Sequence, residues 1–125
     1  MQPKLTMLMC YVRDLGVSVR FYTEVLGLEP ELVTPGCAQL KTGTEGVALG
    51  LHPVRPGETV EPQGHRVGWT PSFEVLDLDA ARQRLDQVRA THDVEYHEIP
   101  GGVILGVVDP DGNRISLEQR TKEQG

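Results

Sequence analysis

The sequence predicts an α+β fold built from two βαβββ modules. Three observations carry that expectation. Val12-Arg13-Asp14-Leu15 returns 63 residues later as Val75-Leu76-Asp77-Leu78, each time closing an apolar run and opening a helical pattern. Residues 53–66 hold three prolines and two glycines without periodicity, and so divide the chain near its middle. Asp109-Pro110-Asp111-Gly112 is a strong turn: proline sets φ at its second position and glycine accepts a positive φ near its end. An apolar run enters this turn and an alternating run leaves it, the pattern of a β-hairpin.

The elements follow in order. Residues 4–12 are an apolar run of strand length. Asp14 offers a helix N-cap, and Leu15, Val19, Tyr22 and Leu26 follow at spacings of 4, 3 and 4, one helical face. Gly27 is placed to end that helix in the left-handed conformation. Strands are expected at about 29–34, 37–42 and 46–52, separated by Pro35-Gly36 and Thr42-Gly43-Thr44. Module 1–52 then gives way to the 53–66 linker and module 67–119, within one domain of residues 1–125. A strand at about 67–75 leads into Asp77. Leu78, Ala81, Leu85 and Val88 form the second helical face, with Arg82, Arg84 and Arg89 turned to water. Strands at about 94–98, 102–108 and 113–119 complete the repeat.

At 125 residues, with 38% hydrophobic and 24% charged residues, the composition is that of a soluble globular domain. A net charge of −6 leaves no basic footprint for nucleic acid. No apolar run is long enough for a bilayer, and the N-terminus lacks a signal-peptide pattern, so a cytoplasmic protein is expected. Cys10 and Cys37 have neither CxxC spacing nor a Cys/His cluster beside them.

Val107 to Glu118, together with Tyr11 to Leu28 (YVRDLGVSVRFYTEVLGL), resembles the signature of the vicinal oxygen chelate superfamily of glyoxalases, bleomycin-resistance proteins and extradiol dioxygenases. The resemblance covers nearly the whole chain and implies a concave β cup between paired modules. Such modules, of one chain or of two exchanged chains, must bury their sheet edges by pairing, so a homodimer is the expected assembly, with intrachain and swapped pairing both open.

Strand parity says which residues face such a cup. Leu8, Cys10 and Val12, then Val47, Leu49 and Leu51, then Phe73, Val75, Ile115 and Leu117, form the sets to be covered by the helices. The opposite face carries Met7, Met9, Ala48, Gly50, His52, Thr70, Ser72, Glu74, Arg114, Ser116 and Glu118. All of these but Ala48 are the expected ligand-binding residues, with the small residues leaving room for a ligand. Trp69 has the wrong parity and contributes only from a rim.

Metal-dependent members of the family hold a divalent ion with four His or Glu side chains, one from each of four strands. By the resemblance those positions fall on Met7, Gly50, Thr70 and Ser116, none a normal donor for such an ion. Shifting each by two residues gives Met9, His52, Ser72 and Glu118, with one imidazole and one carboxylate. His65, His92 and His97 fall in loops or edge segments. The expectation is therefore a small-molecule binder without a cofactor, resembling the bleomycin-resistance branch, whose Glu74 and Glu118 attract a cationic ligand. The alternatives are a divalent-metal lyase or dioxygenase with a non-standard site, a metal-free enzyme using Glu118 or His52 as base, and a dimerisation module with a vestigial cup. No catalytic residue is assigned.

Overall fold

The structure, a computed structural model, describes residues 1–2, 4–60, 70–89, 91–100 and 102–119. Strand β1 (Met7–Val12) is followed by helix α1 (Leu15–Arg20), a π-helical turn (Phe21–Val25), β2 (Glu29–Thr34), β3 (Cys37–Lys41) and β4 (Ala48–Pro53). Then come β5 (Ser72–Glu74), α2 (Leu78–Val88), β6 (Val94–Ile99), β7 (Gly102–Val108) and β8 (Arg114–Glu118). They form two four-stranded sheets, ordered β1-β4-β3-β2 and β5-β8-β7-β6. In each, the first strand runs parallel to the last and the other neighbours are antiparallel. The chain divides into two units, Met1–Glu61 and Pro62–Gly125.

The sequence repeat is also a repeat of register. Met9 lies opposite Gly50 in the first sheet, and Ser72 opposite Ser116 in the second. The two aspartates that open the helices are equivalent in detail. Asp14 (φ −135°, ψ 110°) accepts from Val17 N at 3.0 Å, and Asp77 (φ −137°, ψ 104°) from Ala80 N at 3.1 Å. Each satisfies one orphan donor of its helix, which stabilises it by about 1 kcal/mol.

Helix α1 departs from the simple 3.6-residue pattern. Its buried residues are Ser18, Phe21, Tyr22 and Val25, so the stripe runs one residue ahead of Val19 and Leu26, which are half-buried. The cause is the π-helical turn, in which Leu26 N donates to Phe21 O, five residues back, at 3.4 Å. That wide turn lets Phe21 and Tyr22 pack inward together, edge to face at 5.1 Å. Gly27 (φ 76°) then ends the helix as expected.

Helix α2 follows the expected face: Leu85 is buried and Leu78, Ala81 and Val88 are half-buried. Its arginines are exposed but do more than meet water. The guanidinium carbons of Arg82 and Arg89 lie 4.4 and 4.7 Å from the centre of the Tyr96 ring, and the Tyr96 hydroxyl donates to the Asp86 carboxylate. Arg89 also pairs with Asp86 at 3.1 Å. These contacts fasten α2 to β6.

Strand β1 starts at Met7 rather than residue 4, because its partner β4 begins only at Ala48, after the turn closed by Gly46 (φ 81°). At its other end β4 runs through Pro53, and Val54 N donates to Val12 O at 3.2 Å. The linker therefore starts later than residue 53. The described part of the strand expected at 67–75 is confined to Ser72–Glu74, and residues 67–69 lie outside the described residues. Val12, Leu40, Leu49 and Leu51 are buried in the first unit; Leu105, Val107, Ile115 and Leu117 in the second. Each fully buried leucine or isoleucine contributes about 1.5–3 kcal/mol over an exposed one. Among the described residues, no helix is long and apolar enough to cross a membrane.

The Asp109–Gly112 turn is held from inside. Asp109 is 4% exposed, and its carboxylate accepts from Asp111 N at 2.9 Å, Asn113 N at 2.7 Å and Asn113 Nδ2 at 2.9 Å. Gly112 takes φ 89°, as the turn requires. Asp109→Ala leaves those donors without their acceptor and should cost about 2–3 kcal/mol, against about 1 kcal/mol for Asp77→Ala. Urea unfolding with an unchanged slope measures both; an equal cost for the two would contradict this account of the turn.

Candidate functional site

Helix α1 packs on β3 and β4, and α2 on β8, so each sheet has one covered face and one open face. Pairing register then lists the open faces. On the first sheet, Met7, Ala48, Lys41 and Glu29 share one row, and Met9, Gly50 and Gln39 the next, followed by Tyr11 with His52. On the second, Ser72, Ser116, Gly106 and Glu95 share a row, flanked by Arg114 with Val108, Glu74 with Glu118, and His97 with Ile104. In this register Met7, Met9, Gly50 and His52 share one side of the first sheet, and Ser72, Glu74, Arg114, Ser116 and Glu118 share one side of the second. Thr70, just before β5, lines a hollow with Ser116 and Arg114.

The centre of the first face is not vacant as expected from the small residue there. A Cβ added to Gly50 would stand 2.9 Å from Met9 Cε, 3.0 Å from Met7 Sδ and 3.1 Å from Met9 Sδ. The two thioether chains have folded over the glycine and buried it. Room exists instead at one end of this face, in a hollow of about 370 Å³ lined by Thr6, Gln39, Lys41, Thr42, Glu45 and Ala48 among others. Its wall is the 42–47 turn, where Thr42 Oγ1 accepts from Thr44 N at 3.1 Å and donates to Val47 O at 2.7 Å. At the other end, Tyr11 stands edge-on to His52 with ring centres 5.9 Å apart.

The second face carries a charged cluster that the sequence did not reveal. Arg114 Nη1 donates to Glu95 Oε2, and the same oxygen lies 3.0 Å from His97 Nε2. The Arg114 hydrogen bond, then that of His97, holds the Glu95 carboxyl below the usual glutamate range, with burial opposing. The cluster borders a smaller hollow, about 80 Å³, lined by Thr70, Glu95, His97, Gly106, Arg114 and Ser116 among others. Glu95 was missed, and His97 was read only as a residue of a loop or edge segment, because β6 has no clear alternation. Only its pairing with β7 puts Glu95 in the row of Gly106 and Ser116. His97 is exposed and hydrogen-bonded, as an edge-strand histidine is expected to be; His65 and Trp69 lie outside the described residues.

Donor chemistry decides what these faces can hold. The positions matched to the family's metal ligands bear a thioether, a hydrogen, and two neutral hydroxyls at Met7, Gly50, Thr70 and Ser116. Among the described residues, no three or more His, Cys, Asp or Glu side chains converge. This donor set does not fit a hard or borderline divalent ion, which needs several anionic oxygens or imidazoles together.

The glyoxalase/bleomycin resistance protein/dioxygenase superfamily model matches residues 4–117. The chain belongs to that superfamily. Similar solved structures from the superfamily's fold include TnmS3, an antibiotic-binding protein from Streptomyces sp. CB03234, at 22% identity. It covers 96% of this chain and 98% of its own, with a TM-score of 0.73. Lactoylglutathione lyase from Agrobacterium tumefaciens is similar at 24% identity over 94% of each chain, with a TM-score of 0.70. UcmS2 shares 26% identity over 96% of this chain and 100% of its own, with a TM-score of 0.75. No curated protein matches. A superfamily fold found in both a lyase and an antibiotic-binding protein leaves the chemistry to the residues on its faces.

Because Glu95 is depressed in the folded chain, it stabilises the fold above the ordinary glutamate value. That contribution is lost as pH falls through its lower folded value. Carboxyl carbon NMR should show Glu95 titrating below the ordinary glutamate range, and Arg114→Gln should bring it back towards that range. A Glu95 titration unmoved by that substitution would contradict the assignment of cause.

Proposed function

We propose that this superfamily member binds a small molecule on the open faces of its sheets and needs no divalent metal to do so. The observation that carries the reading is the hollow of about 370 Å³ continuous with the open face of the first sheet. That volume falls within the range of small-molecule sites. The donors around both faces are thioethers, hydroxyls, amides and paired charges, which suit a ligand's own polar and apolar groups. The antibiotic-binding activity of the similar TnmS3 supports the reading.

Charge placement adds to the proposal. Glu74 and Glu118 are partners on adjacent strands, both exposed, and give one end of the second face a negative character. Such a pair favours a cationic group on the ligand, while Met7 and Met9 offer polarisable apolar contact. Each sheet also ends in edge strands, β1 and β2 in one and β5 and β6 in the other, whose main-chain groups a second copy can cover. A homodimer is part of the proposal for that reason.

Thermal unfolding in the presence of cationic drug-like compounds and of Zn, Ni, Fe and Mn salts tests the reading, since a ligand raises apparent stability by mass action. Stabilisation by an organic cation without added metal is the expected result. Glu118→Gln should weaken that binding about two- to fivefold, as for one exposed charge, and leave the unliganded melting temperature unchanged. A divalent ion retained stoichiometrically through purification, with stabilisation only by that ion, would replace this proposal with a metal-dependent enzyme.

A further inference from the structure

The donors that reject a hard divalent ion on the first sheet form a coherent set of another kind. Met7 and Met9 are successive open-face residues of β1, and Gly50 between their tips has no side chain to separate them. Both sulfurs lie within 3.1 Å of one point, the place where a Gly50 Cβ would stand. Two thioethers brought to one spot are soft, neutral donors, the kind that select Cu(I) over Zn, Mg or Mn.

A third donor stands on the same face. His52 lies two residues, about 6.6 Å, beyond Gly50 on β4. Its Nδ1 is 2.7 Å from the Pro53 carbonyl oxygen. A carbonyl only accepts, so in the neutral ring Nδ1 carries the hydrogen and Nε2 keeps the lone pair. A ring N–H given to a main-chain carbonyl is the usual support of a metal-ligating histidine, because it fixes tautomer and ring orientation. Tyr11 stands edge-on beside the ring. Of the two thiols, Cys10 alternates to the covered face, while Cys37, two residues before Gln39 on β3, alternates to the open face with its Sγ 3.7 Å from Thr34 Oγ1, and the test has to remove it.

We propose that Met7, Met9 and His52 form a binding site for a soft monovalent cation, Cu(I), on the open face of the first sheet. Imidazole suits copper as well as zinc, so the two thioethers supply the selectivity. Gly50 is needed because any side chain there would displace the sulfurs. The site goes beyond the small-molecule proposal: it shares Met7 and Met9 with that reading but rests on their donor chemistry, and its occupant is an ion rather than an organic ligand.

The test uses the full-length chain with both thiols removed (Cys10→Ser, Cys37→Ser), so that thiolate capture contributes nothing. Ag(I) serves as the redox-inert probe and Cu(I), held reduced, as the ion itself. Methionine labelled at its ε-methyl carbon gives three signals, since the chain has three methionines. One equivalent of either ion should move the signals of Met7 and Met9 and leave that of Met1 in place. Met7→Leu with Met9→Leu nearly conserves volume and should keep the fold. It should weaken Ag(I) binding by more than the roughly 10–100-fold that loss of a supporting residue costs at a metal site. His52→Asn should weaken it by a smaller factor without moving the unliganded melting temperature. Binding in the double leucine variant equal to that of its parent, or signals of Met7 and Met9 unmoved by one equivalent, would overturn the proposal.

Discussion

The parallel pairing of the first and last strands of each module is the constraint on which the rest depends. It fixes Met9 against Gly50 and Ser72 against Ser116, and so decides which residues of four strands share a row. A slip of one residue would exchange the covered and open faces throughout. The slip is prevented from the covered side, where Val12, Leu49 and Leu51, and Leu105, Ile115 and Leu117, would have to move into water. Hydrophobic burial thus sets the register, and the register sets the chemistry of the faces.

With that frame fixed, the two open faces diverge. The first has become soft and apolar at its centre, where two methionines occupy the space above a glycine, and polar at its end, where the 42–47 turn walls a hollow. The second has become electrostatic, with Arg114 and His97 gathered on one oxygen of Glu95, and Glu74 beside Glu118. Neither face offers, among the described residues, the converging hard donors that a metal-assisted member of this superfamily requires.

Much of this architecture is legible in the chain because its signals are local. Asp14 and Asp77 cap their helices through their own side chains, and Asp109 organises its turn through neighbours two and four residues on. Alternation along β1, β4 and β8 gives the open face directly. What escaped was set by contacts between elements. The wide turn at Phe21–Val25 follows from packing two adjacent aromatic rings inward, which no 3.6-residue pattern announces. Glu95 enters the second face through β6–β7–β8 pairing, and the methionine cover over Gly50 through rotamers that fill a gap. The sequence suggested an empty centre because it shows that a residue is small, but not what leans over it.

The central claim is that the open faces do not assemble a divalent-metal site. Paramagnetic broadening by Mn(II) tests it most directly, because a bound ion erases nearby amide signals whether or not the protein melts later. Titration of the isotopically labelled chain should broaden exposed carboxylates diffusely and leave the amides of Met7, Gly50, Thr70 and Ser116 no more affected than the rest. Selective loss of those four signals at substoichiometric Mn(II) would contradict the account and restore a metal to the centre of this protein's chemistry.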